Sequence, residues 1–499
     1  MQYEKDTICA IATGTGSAGI GIVRLSGPSA IEIADRLFRG RRRLADLKSY
    51  TAAYGQLFRV APMGESKDVD HVSMGEVSDV DHVQMNEVKN AHDTSVGDVR
   101  DSSKEEVLDE VIALVMRAPH TYTTEDVVEL SCHGGIYITQ QVLRAVLEAG
   151  AKPAQAGEFT KRAFLNGKLD LTEAEAVIDI ISAKNRSAAR AALSVKEGAL
   201  RRRITKVKDD LLALAAHLSA WADYPEEDIA EVTDEMILTV CKNAEAALSR
   251  LLATYDSGQA VKQGIDTVIA GRPNVGKSTL MNLLSGYEKS IVTAIPGTTR
   301  DIVEDTVVAG DVMLRLSDTA GLRDTDDAVE KIGVDRAKQR LEQCGLLLAV
   351  FDNSRALEDF DFQLLETAKT VPSLAIINKT DLPSQLDINK IKSYIDNIIF
   401  ISAATGEGKE ELIQAIASLA GTDALNPSEG ILSNERQRAN VSAALRSVRE
   451  AKAAIETGMT FDAVTVSLED AISELLEMTG ERTSDEVIDR VFHNFCVGK

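Results

Sequence analysis

A phosphate-binding loop is the clearest chemical signature in this sequence. An apolar stretch at residues 266–270 leads directly into Gly271-Arg-Pro-Asn-Val-Gly-Lys-Ser278. Glycines let such a loop turn its backbone N–H groups toward phosphates, while Lys277 reaches the outer phosphates and the Ser278 hydroxyl ligates magnesium. A helix predicted at residues 279–285 would direct its positive N-terminus toward the same anion. The pattern predicts a nucleoside triphosphate site.

Three further motifs indicate which nucleotide is bound. Each follows an apolar stretch that we predict to be a strand, at residues 313–317, 374–377 and 398–401. Asp318-Thr-Ala-Gly321 places a carboxylate near magnesium and a glycine amide near the γ-phosphate. Asn378-Lys-Thr-Asp381 ends in a carboxylate that can accept hydrogen bonds from both N1–H and the 2-amino group of guanine, which adenine cannot offer. Ser402-Ala403 is typical of the last base-contacting loop, so guanine is favoured.

The residue that orients the attacking water differs from the usual one. Leu322 stands where many GTPases have glutamine, and an apolar side chain cannot hold a water. Either hydrolysis is slow, or another residue takes this role. Glu330 lies close by in the sequence, although it also fits a solvated carboxylate at the start of a helix.

Length, charge and cysteine content limit the class of protein that this sequence can encode. The chain has 499 residues, enough for about three domains, and a formal net charge of -23. No apolar run reaches the length of a transmembrane helix and the start lacks a secretory signal, so we expect a cytoplasmic protein. The five cysteines have no paired or metal-type spacing. The acidic balance requires any nucleic-acid partner to meet a local basic patch.

Residues 63–106 form an acidic insertion with 12 Asp or Glu and 4 Lys or Arg. Asp68-Val-Asp-His-Val72 recurs as Asp79-Val-Asp-His-Val83. A segment with so little apolar surface is predicted to be disordered, and a metal site at His71 and His82 is the alternative.

The flanking sequence predicts an α+β module at residues 1–166 and helices from residue 167 onward. Gly14-Thr-Gly-Ser-Ala-Gly19 fits a dinucleotide fingerprint, but a second strand follows instead of a helix, so we predict a turn between strands. His133 is either catalytic or a packed or turn-capping residue. Thr172-Glu-Ala-Glu175 predicts a capping box.

Helical sequence returns at residues 433–476, after the nucleotide-binding segment. Arg201, Arg202, Arg203, Lys206 and Lys208 form a basic stretch that is either a solvated surface or an RNA contact. Cys496, close to the end of the chain, is interpreted as a mobile thiol.

Taken together, these motifs resemble the MnmE (TrmE) family of tRNA modification GTPases that act at the wobble uridine. The resemblance is carried by the loop at 271–278, Gly297-Thr-Thr-Arg-Asp301, Asp318-Thr-Ala-Gly-Leu-Arg323 and the final Phe495-Cys-Val-Gly-Lys499. It covers nearly the whole chain, and the acidic insertion is its main departure.

For the nucleotide site, the resemblance implies Mg²⁺ on Ser278 and Thr299, and K⁺ on Asn274, Thr293, Ile295 and Thr298. It favours Glu330 as the water-activating residue. Motifs and resemblance together give these GTP-binding residues: Asn274, Val275, Gly276, Lys277, Ser278, Thr279, Thr293, Ala294, Ile295, Pro296, Gly297, Thr298, Thr299, Asp318, Thr319, Ala320, Gly321, Asn378, Lys379, Thr380, Asp381, Ser402 and Ala403.

Elsewhere, the resemblance implies a tetrahydrofolate derivative bound by Arg24, Glu129, Lys168 and Lys499, with Cys496 assisting the modification chemistry. The implied partners are tRNA, a second copy of the chain and the FAD-dependent protein MnmG, as a heterotetramer, with no membrane or DNA. The implied reaction installs an aminomethyl or carboxymethylaminomethyl group at C5 of the wobble uridine while GTP is hydrolysed.

The predicted fold is α/β plus all-α, with a Ras-like P-loop GTPase domain inserted into a helical bundle behind an N-terminal α+β folate-binding and dimerisation domain. The predicted boundaries are 1–166, 167–263, 264–424 and 425–499. The alternative function is a ribosome-assembly GTPase that modifies nothing. It accounts for the nucleotide motifs but not for the N-terminal module or the Cys-Val-Gly-Lys end.

Overall fold

The computed structural model describes residues 6–14, 16–60, 105–223, 231–285, 305–310, 312–316, 344–422 and 426–498. The chain divides into two compact units, Met1–Lys168 with Glu486–Lys499, and Leu169–Asp485. The four-segment division predicted from the sequence is finer than this and stays a prediction.

The first unit is built on a seven-stranded sheet in the order β3-β4-β5-β6-β2-β1-β7. Its strands are β1 (Ile8–Ile11), β2 (Ile20–Ser26), β3 (Phe38–Gly40), β4 (Thr51–Val60), β5 (Glu105–Met116), β6 (Val127–His133) and β7 (Lys152–Pro153). All paired strands are antiparallel except β1 and β7. The predicted turn between two strands at residues 14–19 is confirmed, because β1 and β2 pair directly with Ile11 opposite Val23.

Neighbouring residues of β1 pack on opposite faces of this sheet, because side chains alternate along each strand. Cys9 of β1 packs in one cluster with α1 (Ala30–Leu37) and α2 (Ile136–Glu148). Its neighbours Ile8 and Ala10 pack instead against Phe159 of α3 (Glu158–Leu165).

The second unit begins with consecutive helices, as the Ala- and Leu-rich sequence predicts. They are α4 (Leu171–Ser182), α5 (Arg186–Lys196), α6 (Ala199–Asp223), α7 (Asp234–Leu252) and α8 (Tyr255–Gln263).

A six-stranded sheet follows in the order β13-β12-β11-β8-β10-β9, parallel except for the β9–β10 pair. Its strands are β8 (Ile265–Ala270), β9 (Asp305–Ala309), β10 (Val312–Leu316), β11 (Leu346–Asp352), β12 (Ser373–Asn378) and β13 (Ile398–Phe400). Among the described residues, α9 (Lys277–Ser285) and α12 (Lys409–Leu419) pack on one face, and α10 (Asp359–Ala368) and α11 (Ile388–Lys392) on the other. The carboxyl ends of the parallel strands meet at one edge, where open α/β sheets bind ligands.

Helices resume with α13 (Glu435–Glu456), α14 (Phe461–Thr479) and α15 (Asp485–His493), and 3-10 turns lie at Leu44–Asp46 and Pro427–Glu429. Buried side chains of α6, α7, α13 and α14 form one hydrophobic core, which joins helices from before and after the second sheet. The predicted α/β plus all-α architecture is thereby confirmed. In the part of the chain that the structure describes, no helix has the length and apolarity needed to cross a membrane.

The predicted capping box at Thr172 and Glu175 is wrong by two residues. Helix α4 is capped by Asp170, whose side chain accepts from the Glu173 N–H while the Glu173 side chain accepts from the Asp170 N–H. The Glu175 carboxylate is engaged elsewhere. It receives a bidentate ion pair from Arg436 at 2.8 Å and a 2.8 Å hydrogen bond from Gln437.

Glu175→Gln is expected to lower the free energy of unfolding by about 3 kcal/mol, because the largely buried Arg436 charge loses its counter-ion. Arg436 also donates to the Glu477 and Met478 carbonyls, so α4, α13 and α14 all depend on this contact. Urea denaturation followed by circular dichroism measures the change.

Glu245→Gln is the matched control, because Glu245 pairs with Arg449 and Lys452 nearer to solvent. Its effect should be clearly smaller. Equal effects of the two substitutions would contradict a special role for the Glu175 bridge.

Candidate functional site

The phosphate-binding loop begins at the carboxyl end of β8 and passes directly into α9. Asn274 and Gly276 have positive φ angles of 64° and 100°, so the loop folds back on itself before the helix starts. A Cβ atom at position 276 would collide with the side-chain amide of Asn378. Glycine is therefore required there by both the backbone angle and the close approach.

The Lys277 side chain reaches back across the loop to its first two residues. Its Nζ donates to the carbonyls of Gly271 at 2.7 Å and Arg272 at 2.8 Å. Ser278 and Thr279 are exposed on the first turn of α9. Helix α9 begins at Lys277 rather than at residue 279 as predicted, so its positive end lies directly beside the loop.

Asn378, at the end of β12, ties the loops of the site together. Its Nδ2 donates to the Val275 carbonyl at 2.8 Å, and its Oδ1 accepts from the Ala403 N–H at 2.9 Å. One buried amide thus connects the phosphate-binding loop to the loop after β13.

Asp381 is the exposed carboxylate of the predicted base-recognition motif. Its Oδ1 accepts from the Ser402 hydroxyl at 2.7 Å, and the Thr380 N–H donates to the Ile401 carbonyl at 3.2 Å. These contacts hold the carboxylate in place while leaving its second oxygen and its remaining lone pairs for a ligand.

Asp352 was not predicted from the sequence, yet it positions Lys379. Lys379 Nζ lies 2.6 Å from Asp352 Oδ2 and donates to the Asn274 carbonyl at 2.8 Å. Burial, the largest influence, raises the pKa of the Asp352 carboxyl, but hydrogen bonds from Lys379 and Ser354 outweigh it and the pKa falls below its ordinary value. The carboxylate therefore stays charged and holds Lys379 against the phosphate-binding loop.

Arg272 is the other residue that the sequence motifs did not single out. It is buried and pairs with Glu358 and Asp361, and it donates to the Ala356 carbonyl at 3.1 Å. The phosphate-binding loop is thus attached to the segment between β11 and α10.

Part of the predicted site lies outside the described residues. These are Thr293, Ala294, Ile295, Pro296, Gly297, Thr298, Thr299, Asp318, Thr319, Ala320, Gly321, Glu330, the folate-site residue Lys499 and most of the acidic insertion. The other predicted nucleotide-site residues lie at the carboxyl edge of the second sheet. They are Val275, Gly276, Lys277, Ser278, Thr279 and the residues of the two predicted base-contacting loops.

In the first unit, the predicted folate-site residues Arg24 and Glu129 contact each other directly. They are opposite one another on β2 and β6, and Arg24 Nε and Nη2 lie 2.8 and 2.7 Å from Glu129 Oε1. Arg24 also donates to the Gly498 carbonyl at 3.3 Å, and its guanidinium lies 5.7 Å from the centre of the Phe159 ring. The Arg24–Glu129 pair is therefore half-buried and lies beside an aromatic ring.

Lys168 lies beside Tyr122, with its Nζ 5.7 Å from the ring centre, and it donates to the Thr121 carbonyl. The pKa of the Tyr122 hydroxyl is raised, mainly by burial, although its hydrogen bond with Thr160 at 2.9 Å and the Arg24 charge partly oppose this.

The C-terminal tail is not free, which corrects the interpretation of Cys496 as a mobile thiol. Val497 forms a β-bridge with Ala156, and the Gly157 N–H donates to the Cys496 carbonyl at 3.4 Å. The thiol itself is exposed, whereas the other four cysteines are buried. Burial raises the pKa of Cys9 to about 12 and of Cys241 to about 11, so these two are poor nucleophiles.

His133 is exposed rather than packed, and its Nδ1 lies 2.7 Å from Asp109 Oδ1. The hydrogen bond to Asp109 is the main cause that raises the pKa of this histidine. The described residues contain no group of three or more His, Cys, Asp or Glu side chains arranged for a metal ion.

Asp381→Asn is expected to change base preference from guanine to xanthine. A carboxamide at this position accepts one hydrogen bond and donates one, which matches N1–H and the 2-oxo group of xanthine. Nucleotide binding measured by fluorescence titration should show GTP affinity falling by at least about 100-fold and XTP affinity rising.

Asp387→Asn is the control, because Asp387 caps α11 instead of facing the base. An Asp381→Asn protein that still prefers GTP to XTP would show that this carboxylate does not read the base.

Comparisons with known proteins cover the whole chain. The family model for the MnmE helical domain matches residues 171–496, and the model for the N-terminus of the GTP-binding protein TrmE matches residues 7–79 and 72–168. The two TrmE matches meet inside the acidic insertion. Among solved structures, the G domain of the T. maritima FeoB iron transporter is 26% identical and covers 31% of this chain and 98% of its own, but its TM-score of 0.24 is too low to bear on the fold.

Curated relatives match from end to end. The chain is 38% identical to the tRNA modification GTPase MnmE of Alkaliphilus metalliredigens (strain QYMF), with 100% of both chains covered. It is 39% identical to the tRNA modification GTPase MnmE of Staphylococcus aureus (strain Newman), with 99% of this chain and 100% of the relative covered. The family resemblance of the motifs is confirmed, and the chain belongs to the MnmE family of tRNA modification GTPases.

Proposed function

We propose that this chain is a potassium-stimulated GTP hydrolase that takes part in modifying C5 of the wobble uridine of tRNA. With an FAD-dependent MnmG partner, it would install an aminomethyl or carboxymethylaminomethyl group using a tetrahydrofolate one-carbon donor. The observation that carries the proposal is the joint presence of the loop at 271–278 and the Asp381–Ser402 pair at one sheet edge.

The described residues fit magnesium binding. Ser278 is exposed on the first turn of α9, where its hydroxyl adjoins the place for the outer phosphates, and Thr299 would be the second protein ligand. Magnesium supplies charge neutralisation between the β- and γ-phosphates. Lys277 and the loop amides hold the triphosphate, and Asp381 orients the base.

Asn274 supports the potassium part of the proposal. It is exposed in the loop with a left-handed backbone, and its carbonyl is tied down by Lys379. The contact with Lys379 fixes the backbone from which the Asn274 side chain extends, beside the proposed phosphate site. A potassium ion held by Asn274, Thr293, Ile295 and Thr298 would offset the negative charge that develops in the transition state. Glu330 is proposed to orient the attacking water, because Leu322 cannot.

The folate part of the proposal rests on Arg24 and Glu129. A folate presents an anionic glutamate tail, a flat pterin and an edge of hydrogen-bond donors. The half-buried Arg24–Glu129 pair offers a cation and a carboxylate, the Phe159 ring lies beside Arg24, and Tyr122 packs against the cluster that contains Phe159. Lys168 and Lys499 are proposed as further contacts.

Cys496 is proposed to assist the modification chemistry. Its backbone is held within the unit that contains Arg24, and the Gly498 carbonyl accepts directly from Arg24. The exposed thiol thus lies two residues before the carbonyl that accepts from Arg24. A homodimer, and a heterotetramer with MnmG in the cytoplasm, complete the proposal.

GTP turnover is expected to be about 100-fold faster in potassium than in sodium, which is the size of effect that one well-placed transition-state charge contact provides. Asn274→Ala should abolish the difference by lowering the potassium rate alone. A phosphate-release assay in the two salts measures both rates. Asn282→Ala, which changes an exposed asparagine of α9 outside the loop, is the control and should keep the potassium response.

Equal turnover of the unmodified chain in the two salts would remove potassium from the mechanism and leave guanine recognition in place.

Arg24→Gln is expected to weaken binding of 5-formyl-tetrahydrofolate by about 10- to 100-fold, because a charge-assisted contact is lost. Isothermal titration calorimetry measures this. Arg36→Gln, which alters an exposed pair with Glu32 in the same unit, should bind normally.

Cys496→Ser should bind folate and hydrolyse GTP but fail to support tRNA modification in a reconstituted assay with MnmG. Full modification by this variant would exclude the thiol. Absence of folate binding by the wild-type chain would exclude the folate part of the proposal and leave the GTPase part in place.

A further inference from the structure

A concentrated positive charge lies on α5 and the start of α6. Residues 184–208 contain nine Lys or Arg and a single acidic residue, Glu197, in a chain whose net charge is -23. The rest of the protein repels polyanions at long range. This segment is therefore a local exception to the charge of the molecule.

Helix α5 carries its cations outside its core face. Its buried side chains are Ala188, Ala191, Ala192 and Val195. At 100° per residue these lie on one side, the exposed Arg186 and Arg190 lie on the opposite side, and the exposed Lys196 lies at the flank next to Ala192. The three cations extend along about 15 Å of helix at 1.5 Å per residue.

Helix α6 continues this row. Arg202 and Lys206 are exposed on its first turns, and Arg202 Nη1 donates to the Glu197 carbonyl at 2.8 Å, just after the end of α5. This contact places a guanidinium directly next to the last turn of α5.

The cations of the segment differ in their partners. Arg201 lies within 4 Å of Asp170 and Glu173, at 3.9 and 3.7 Å, and Lys208 pairs with Glu481 at 2.8 Å. Arg203 donates to the Glu429 and Gly430 carbonyls. In contrast, five exposed cations form no ion pair with any residue that the structure describes: Lys184, Arg186, Arg190, Lys196 and Lys206.

We propose that the exposed face of α5 and the first turns of α6, here called the cationic face (Lys184, Arg186, Arg190, Lys196, Arg202 and Lys206), docks the phosphate backbone of the tRNA. The proposal rests on the proposed function, which supplies a tRNA, and it names the surface that holds it. The row is long enough to meet several phosphates of one strand.

RNA is favoured over a protein partner by the chemistry of this face. Protein interfaces have an apolar centre from which charged residues are depleted. On α5 the exposed large apolar side chain is Leu193, surrounded by arginine and lysine. Phosphate contacts, in contrast, come mainly from Arg and Lys and fix the orientation of a nucleic acid without reading its sequence.

The test replaces Arg186, Arg190 and Lys196 together by Gln in the full chain. Binding of an unmodified tRNA transcript is measured by fluorescence anisotropy between about 50 and 200 mM salt. Affinity should fall by about 10- to 100-fold at the lower salt concentration. The slope of log K against log salt should become shallower by about 2, close to the loss of three phosphate contacts.

The matched control carries Lys242→Gln, Arg250→Gln and Lys392→Gln, which remove the same charge from exposed positions on α7 and α11. It should bind tRNA with the original affinity and salt slope. Both triple variants should keep GTP turnover and circular dichroism, which separates lost docking from lost folding.

The cationic-face proposal would be overturned if both triple variants weakened tRNA binding equally, or if the first variant bound tRNA with unchanged affinity. Either result would leave the proposed function intact. Unchanged tRNA affinity together with lost binding to MnmG would assign the face to a protein instead. Absence of tRNA binding by the unmodified chain, alone and with MnmG, would overturn both proposals.

Discussion

The two hydrogen bonds of the Asn378 amide hold the nucleotide site together. They join the loop after β8 to the loop after β13, although β11 and β12 lie between those strands in the sheet. Because the amide is buried, losing either bond would leave an unsatisfied polar group at a cost of about 1–3 kcal/mol. Lys379 and Asp352 reinforce the same connection one residue away. The candidate phosphate and base loops are therefore connected to each other by the protein's own hydrogen bonds.

The residues that sequence reasoning found are those whose task is local. A glycine loop between a strand and a helix is recognisable because backbone geometry demands it, and the NKTD-type loop follows its strand for the same reason. Asp352 and Arg272 were missed because their partners, Lys379 and Asp361, lie far away in the sequence. Glu330 and residues 293–299 lie outside the described residues, so their proposed roles remain predictions.

The capping box of α4 shows how tertiary contacts decide between equivalent local patterns. Asp170 with Glu173 and Thr172 with Glu175 fit the same spacing, two residues apart. Arg436 and Gln437, which are distant in the sequence, bind the Glu175 carboxylate. Only Asp170 and Glu173 therefore form the capping box. No local pattern contains that information, whereas the helical character of the segment was readable from its composition.

The β-bridge between Val497 and Ala156 has a consequence for how the protein is made. Residues near both ends of the chain belong to one compact unit, and Gly498 packs against the backbone of Ile11 and Ala12. Since a ribosome delivers the N-terminal strands first, that unit lacks residues 486–499 until the second unit has been synthesised. The second unit, encoded between them, is able to fold earlier. The first unit is thus completed by residues that are synthesised after the whole of the second unit.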